Sequence, residues 1–187
     1  MNTKYPILLV HGIAIKDIWF IKSFGEIDRI LRIEGFKVYK SKVDSFGTIE
    51  NNARILQEEI KKIIEECKCE KVNIIAHSKG GLDSKYAIKE LHMGQYVASL
   101  TTLCTPHKGS PIASSLLKLP KIILHLVAFF INFWYRIFGD KHPDALEVCR
   151  QLAKVDSIEE EIFKIKEDIY FQSYSTTLKG SKDDFIM

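Results

Sequence analysis

The residues best suited to chemistry lie in the run Val72-Asn73-Ile74-Ile75-Ala76-His77-Ser78-Lys79-Gly80-Gly81. An apolar stretch stops at a serine, small residues flank it, and a helix-compatible segment follows. This is the pattern of a nucleophile elbow, a sharp strand-to-helix turn that lifts a serine hydroxyl out of the sheet. The turn brings together the positions two before and two after the serine, so both must be small, and Ala76 and Gly80 stand there. Gly81 lets the following helix pack close to the strands. The rival reading of the same residues is a serine that only caps a helix.

A serine that transfers acyl groups also needs two backbone N–H donors for the oxyanion. The residue after the nucleophile, Lys79, supplies one. Val10-His11-Gly12-Ile13 ends the first apolar run, and Gly12 would let the Ile13 N–H turn inward as the second. Read alone, His11-Gly12 is also an ordinary turn; its position ahead of an elbow gives it weight. A third element, Thr105-Pro106-His107-Lys108-Gly109-Ser110, closes the strand after the elbow helix and forms a rigid turn beside the serine.

The elements that must hold these residues follow from apolar periodicity. Residues 5–10, 36–43, 71–77, 96–104 and 168–175 read as strands. Residues 18–33, 48–67, 80–91, 144–154 and 157–168 read as helices, with Gly35 terminating the first. Ser157 and Glu160 form a capping box for the last. Strands alternating with helices imply an α/β fold, a mostly parallel sheet with helices on both faces. No linker or repeat divides the chain, so a single domain is expected.

Residues 112–138 stand apart. From 122 onward the only strongly polar side chains are His125, Asn132 and Arg136, and with Lys118 and Lys121 they share one narrow helical stripe. A helix with so little polar surface must be buried nearly all round or face lipid. An interfacial or lid helix, a core helix and a membrane span are the three readings, in that order of preference.

Composition narrows the function classes. The 187 residues are 46% hydrophobic and 27% charged, as in an ordinary globular domain. A net charge of +3 argues against a nucleic-acid partner. The four cysteines have no metal-ligand spacing, so free thiols, no metal site and no cofactor are expected. The N-terminal apolar run is too short for a signal-peptide core, which suits a cytoplasmic chain or one numbered after a removed leader.

At its three motifs the chain resembles the bacterial triacylglycerol lipases and esterases of the α/β-hydrolase superfamily. Residues 6–12, 76–81 and 105–110 match the family's strand end, elbow and turn in order. The resemblance is firm over about residues 5–111 and looser to about residue 176. It implies Ser78 as nucleophile, Ile13 and Lys79 as oxyanion donors, and His11, Gly12, His77, Gly80 and Gly81 as supporting positions. It also implies an acyl ester or lipid substrate, and a lid over about 112–140 that contacts lipid interfaces through 112–138.

In such folds the acid and the histidine follow the serine in the chain. Of the later histidines, His92 ends the elbow helix, His107 belongs to the turn and His125 to the lid segment. Only His142, with Asp140 nearby, lies in a loop, and that pair is the in-chain candidate for base and acid. The expectation is therefore a C-terminally truncated α/β-hydrolase with a mounted nucleophile and oxyanion hole but no general base, inactive or weak as an ester hydrolase. The alternatives are a non-catalytic lipid- or membrane-associating fragment, or a thioesterase or acyltransferase on the same fold.

Overall fold

In the computed structural model, residues 4–13, 23–154 and 168–176 are described. The first strand, β1 (Ile7–Val10), is buried along its whole length. Helix α1 (Ile27–Ile33) leads to β2 (Val38–Lys40), and α2 (Ile49–Cys67) to β3 (Val72–His77). Helix α3 (Lys79–Lys89) precedes β4 (Val97–Leu103); helices α4 (Pro111–Leu116), α5 (Lys121–Ile137) and α6 (Ala145–Ala153) follow, and then β5 (Tyr170–Tyr174). The sheet order is β2-β1-β3-β4-β5, with every pairing parallel. This is the α/β-hydrolase-type arrangement expected from the sequence.

Two expectations need correction. Of the helix foreseen over 18–33, the described part, 23–33, is helical from Ile27, because Ser23–Glu26 form turns and Gly25 adopts φ +52°; residues 14–22 lie outside the described residues. The strand foreseen over 36–43 pairs only at Val38–Lys40, since Ser41 onward swings into a loop held by side chains. The helix and capping box foreseen over 157–168 lie outside the described residues.

Helix α2 shows why the layers form. Its side chains Ala53, Leu56, Ile60 and Ile63 recur at helical spacing, and all are buried against Leu8, Val10, Ile74 and Leu100 of the sheet. Burying each large side chain contributes about 1.5–3 kcal/mol. The Thr48 side chain accepts from Asn51 N to start the helix, and Lys68 ends it in the left-handed region at φ +50°. A smaller cluster of Ile7, Leu9, Phe24 and Val38 covers the other face.

The order places β1 between β2 and β3, so the chain moves one way from β1 to β2 and the other way through β3, β4 and β5. The crevice at the carboxyl ends of β1 and β3 is thus a topological switch point, where open α/β sheets bind ligands. Gly12 follows one of those strands and Ser78 the other.

The segment 112–138 divides at Pro120 into α4 and α5. Among the described residues no helix is long and apolar enough to cross a membrane.

Candidate active site

Ser78 sits between β3 and α3 at φ +52°, ψ −128°, a conformation that residues with a side chain rarely adopt. Three bonds hold it there. Its N–H donates to the Leu103 carbonyl (2.8 Å), and its own carbonyl accepts from Gly81 N (3.1 Å) and Thr105 Oγ1 (2.8 Å). The turn is closed around it by missing side chains. A Cβ on Gly80 would stand 2.5 Å from the His11 carbonyl oxygen, and one on Gly81 2.1 Å from Thr105 Oγ1. A Cβ on Gly12 would stand 2.7 Å from Ser78 Cβ and 3.2 Å from its Oγ. The Gly12 backbone therefore runs directly against the serine, with Ile13 next in line. A helix-capping role for Ser78 has no support, because its side chain makes no cap bond to α3.

The turn of residues 105–110 is a brace. Lys85 Nζ lies 2.7 Å from His107 Nδ1. With an ammonium as donor, Nδ1 accepts and the ring proton sits on Nε2, which faces Thr102 Oγ1 at 3.1 Å. Ser110 Oγ accepts from Ala113 N and so caps α4, with Pro111 at its first position.

The side chain of Lys79 is the feature the sequence reading passed over. It is 1% exposed, and its Nζ lies 2.7 and 2.9 Å from the two carboxylate oxygens of Asp83. Asp83 Oδ2 also accepts from Asn52 Nδ2 (2.8 Å). Burial pushes the Asp83 carboxyl up to about 6, against the pull of Lys79 and Asn52 in the other direction. The signal in the sequence was the i, i+4 spacing of Lys79 and Asp83.

Asn52 carries the network onward. Its Oδ1 accepts from Asp44 N (3.0 Å) and its Nδ2 donates to Asp44 O (2.9 Å). The Asp44 carboxylate accepts from the N–H groups of Lys141 and His142, at 3.0 and 2.8 Å. Asp140 returns the arrangement: its carboxylate accepts from Ser45 N (3.1 Å) and Phe46 N (2.9 Å). The loop before α2 and the loop after α5 thus hold each other by two reciprocal carboxylates.

This bears on the remaining candidates. Asp140 is 4% exposed and bound to backbone, and the exposed His142 meets Asp44 through its main chain. Asp140, foreseen as the acid, forms a structural clamp with Asp44, and His142, foreseen as the base, enters it only by its backbone N–H. His77 is half-buried, burial holds its ring below the ordinary histidine value, and its Nδ1 has no hydrogen-bond partner. His11 is buried, with Nδ1 donating to the Gly12 carbonyl (2.9 Å). Among the described residues, no hydrogen bond joins a histidine ring to the Ser78 hydroxyl.

An apolar cavity of about 280 Å³ lies between α4, α5 and α6, and Ile13 reaches it from the Gly12 loop. Leu116, Ile123, Val127, Val148 and Leu152 are among its walls. A larger cavity of about 880 Å³ beside β2 and α2 is lined by Lys40, Lys42, Glu58 and Glu59 and does not include Ser78 in its walls. The four cysteines are free thiols.

Residues 7–132 match the family model described as Putative serine esterase (DUF676). A triacylglycerol lipase of Pseudarthrobacter phenanthrenivorans is 32% identical over 168 residues, covering 80% of this chain and 50% of that protein. One from Burkholderia plantarii is also 32% identical, covering 80% of this chain and 45% of its own length. The chain spans about half the length of these curated relatives. Among solved structures, a Bacillus licheniformis lipase in mature form superimposes with a TM-score of 0.60 at 20% identity, over 92% of this chain and 64% of that one. A metagenomic carboxyl esterase gives 0.65 at 14% identity, over 91% and 49%.

Proposed function

This chain belongs to the putative serine esterase (DUF676) family, and from that premise we propose that it cleaves carboxylic esters of acyl lipids through a Ser78 acyl-enzyme. The observation that carries the reading is Ser78 at positive φ on the switch point, with the Gly12 backbone packed against its hydroxyl. Ser78 Oγ attacks the ester carbonyl. The N–H groups of Ile13 and Lys79 receive the oxyanion, the alcohol leaves with a proton, and water then hydrolyses the acyl-enzyme. The cavity reached by Ile13 takes the apolar acyl tail.

The serine proton needs a base, and no described residue is bonded to the hydroxyl. The reading therefore assigns nucleophile and oxyanion donors to this chain and leaves Asp140 to the clamp with Asp44. The lid segment, α4 and α5, borders the tail cavity and meets the lipid interface through 112–138.

A non-catalytic lipid-associating role is the second reading, favoured by the outward apolar face of α5. A chromogenic short-chain ester assay on the chain and on Ser78→Ala separates the two. Weak hydrolysis, residual to the oxyanion donors and lost in the variant, is the expected result. Equal background rates overturn the enzymatic reading.

A further inference from the structure

Helix α5 is apolar on its outer side as well as its inner one. Its inward side is Leu124, Ala128, Ile131, Asn132 and Tyr135: Asn132 Oδ1 accepts from Ala145 N (2.9 Å), and the Tyr135 ring meets Phe46 edge-on at 4.5 Å. The opposite side is Ile122, Leu126, Phe129, Phe130, Phe133 and Trp134, each at least 53% exposed. Six large apolar side chains left half or more exposed along one side of a single helix mark an interaction surface.

Charge along this segment of the chain has one sign. Between Pro111 and Gly139 the chain holds no carboxylate. Lys118 and Lys121 stand exposed at the N-terminal end of α5, and Arg136 and Lys141 at its C-terminal end. The nearest carboxylate, Asp140, is buried on the backbone of Ser45 and Phe46. Lys121 and Arg136 are separated by roughly 22 Å along the helix axis. The helix thus offers an apolar strip with a cationic group at either end.

From this pattern we propose that the outer face of α5 docks on an anionic lipid bilayer, lying in the plane of the headgroups with Lys118, Lys121, Arg136 and Lys141 on lipid phosphates. The inference rests on the reading of 112–138 as a lipid-facing segment and adds its charge selectivity. An anionic bilayer supplies hydrocarbon for the strip and opposite charge at both ends. A second copy of this chain supplies the hydrocarbon only, since pairing α5 with itself in either direction sets basic ends against basic ends.

Vesicle co-sedimentation of the full chain tests this, with phosphatidylcholine vesicles in one arm and mixed phosphatidylcholine–phosphatidylglycerol vesicles in the other. The expected result is at least ~10-fold tighter binding to the anionic vesicles, diminished by salt, with a blue shift of tryptophan emission that Trp134→Phe removes. Lys121→Glu with Arg136→Glu should bring anionic binding down to the neutral level, and Phe130→Ser with Phe133→Ser should remove binding to both. If circular dichroism shows either pair unfolded, Lys121→Gln with Arg136→Gln, or Phe130→Ser alone, replaces it. Equal binding to both vesicle types overturns the charge selectivity and leaves the lipid-facing reading standing. Binding to neither overturns both. A concentration-dependent dimer on gel filtration that Phe130→Ser dissolves assigns the face to a second copy and overturns the proposal.

Discussion

Lys79 and Asp83 form an ion pair shut off from water, Nζ to Oδ1 2.7 Å, one helical turn apart behind the serine. The residue proposed to give its N–H to the oxyanion is thereby fastened by its side chain on the opposite side. Breaking one half of such a pair leaves a buried charge alone. Lys79→Met should therefore lower the unfolding free energy by about 3–5 kcal/mol, while Lys79→Met with Asp83→Leu recovers most of it. Urea denaturation of both variants checks this; a double variant as unstable as the single would show that lost packing is responsible.

The pair also shapes the response to pH. An Asp carboxyl raised from 3.8 to about 6 on folding stabilises most below the lower value, and that contribution fades as pH rises through the higher one. Relative to Asp83→Asn, the parent chain should lose stability as pH rises from about 4 towards about 6. Thermal unfolding of the two across that window reads the difference. A parent chain that gains stability relative to Asp83→Asn as pH rises would overturn this.

The glycines around the serine differ in what crowds them. A Cβ on Gly80 meets the carbonyl oxygens of His11 and Val10, at 2.5 and 2.7 Å, and backbone in a central strand cannot step aside. Gly80→Ala should cost about 1–3 kcal/mol with no simple second-site remedy. Gly81→Ala meets the Thr105 side chain instead, so adding Thr105→Ala should restore part of its loss. Melting temperatures of the three variants decide the matter.

Asp44 and Asp140 should behave as one device. Asp140→Ala strands the N–H groups of Ser45 and Phe46, and Asp44→Ala those of Lys141 and His142. Each should lower stability by about 2–3 kcal/mol. Amide hydrogen exchange should accelerate in both loops whichever residue is changed, with β1 and β3 unaffected. Acceleration confined to the mutated loop would show that the two carboxylates act separately.

The legibility of these features in the sequence follows their range along the chain. The elbow was readable because Ala76, Ser78, Gly80 and Gly81 lie within six residues and each answers a local steric demand. The strands β1 and β3 announced themselves as apolar runs. The polar stripe of α5 was visible too, but only Asn132 of it turns inward, to the Ala145 N–H, while Lys118, Lys121, His125 and Arg136 stay exposed. Asp44 and Asp140 are far apart in the chain, and nothing near either marks the other as its counterpart. His142 and Asp140 drew attention as a candidate pair through simple proximity, and that proximity arises from the turn leaving α5.

The backbone at Ser78 has a bearing on how this chain could change. A residue with a β-carbon held at φ +52° stores about 1–3 kcal/mol of conformational strain. Glycine would release that strain without disturbing the turn. Random mutagenesis selected for thermal tolerance alone should thus return Ser78→Gly, and selection for ester cleavage should never return it. The position sets robustness against reactivity, and the hydroxyl survives only where reactivity is what is selected.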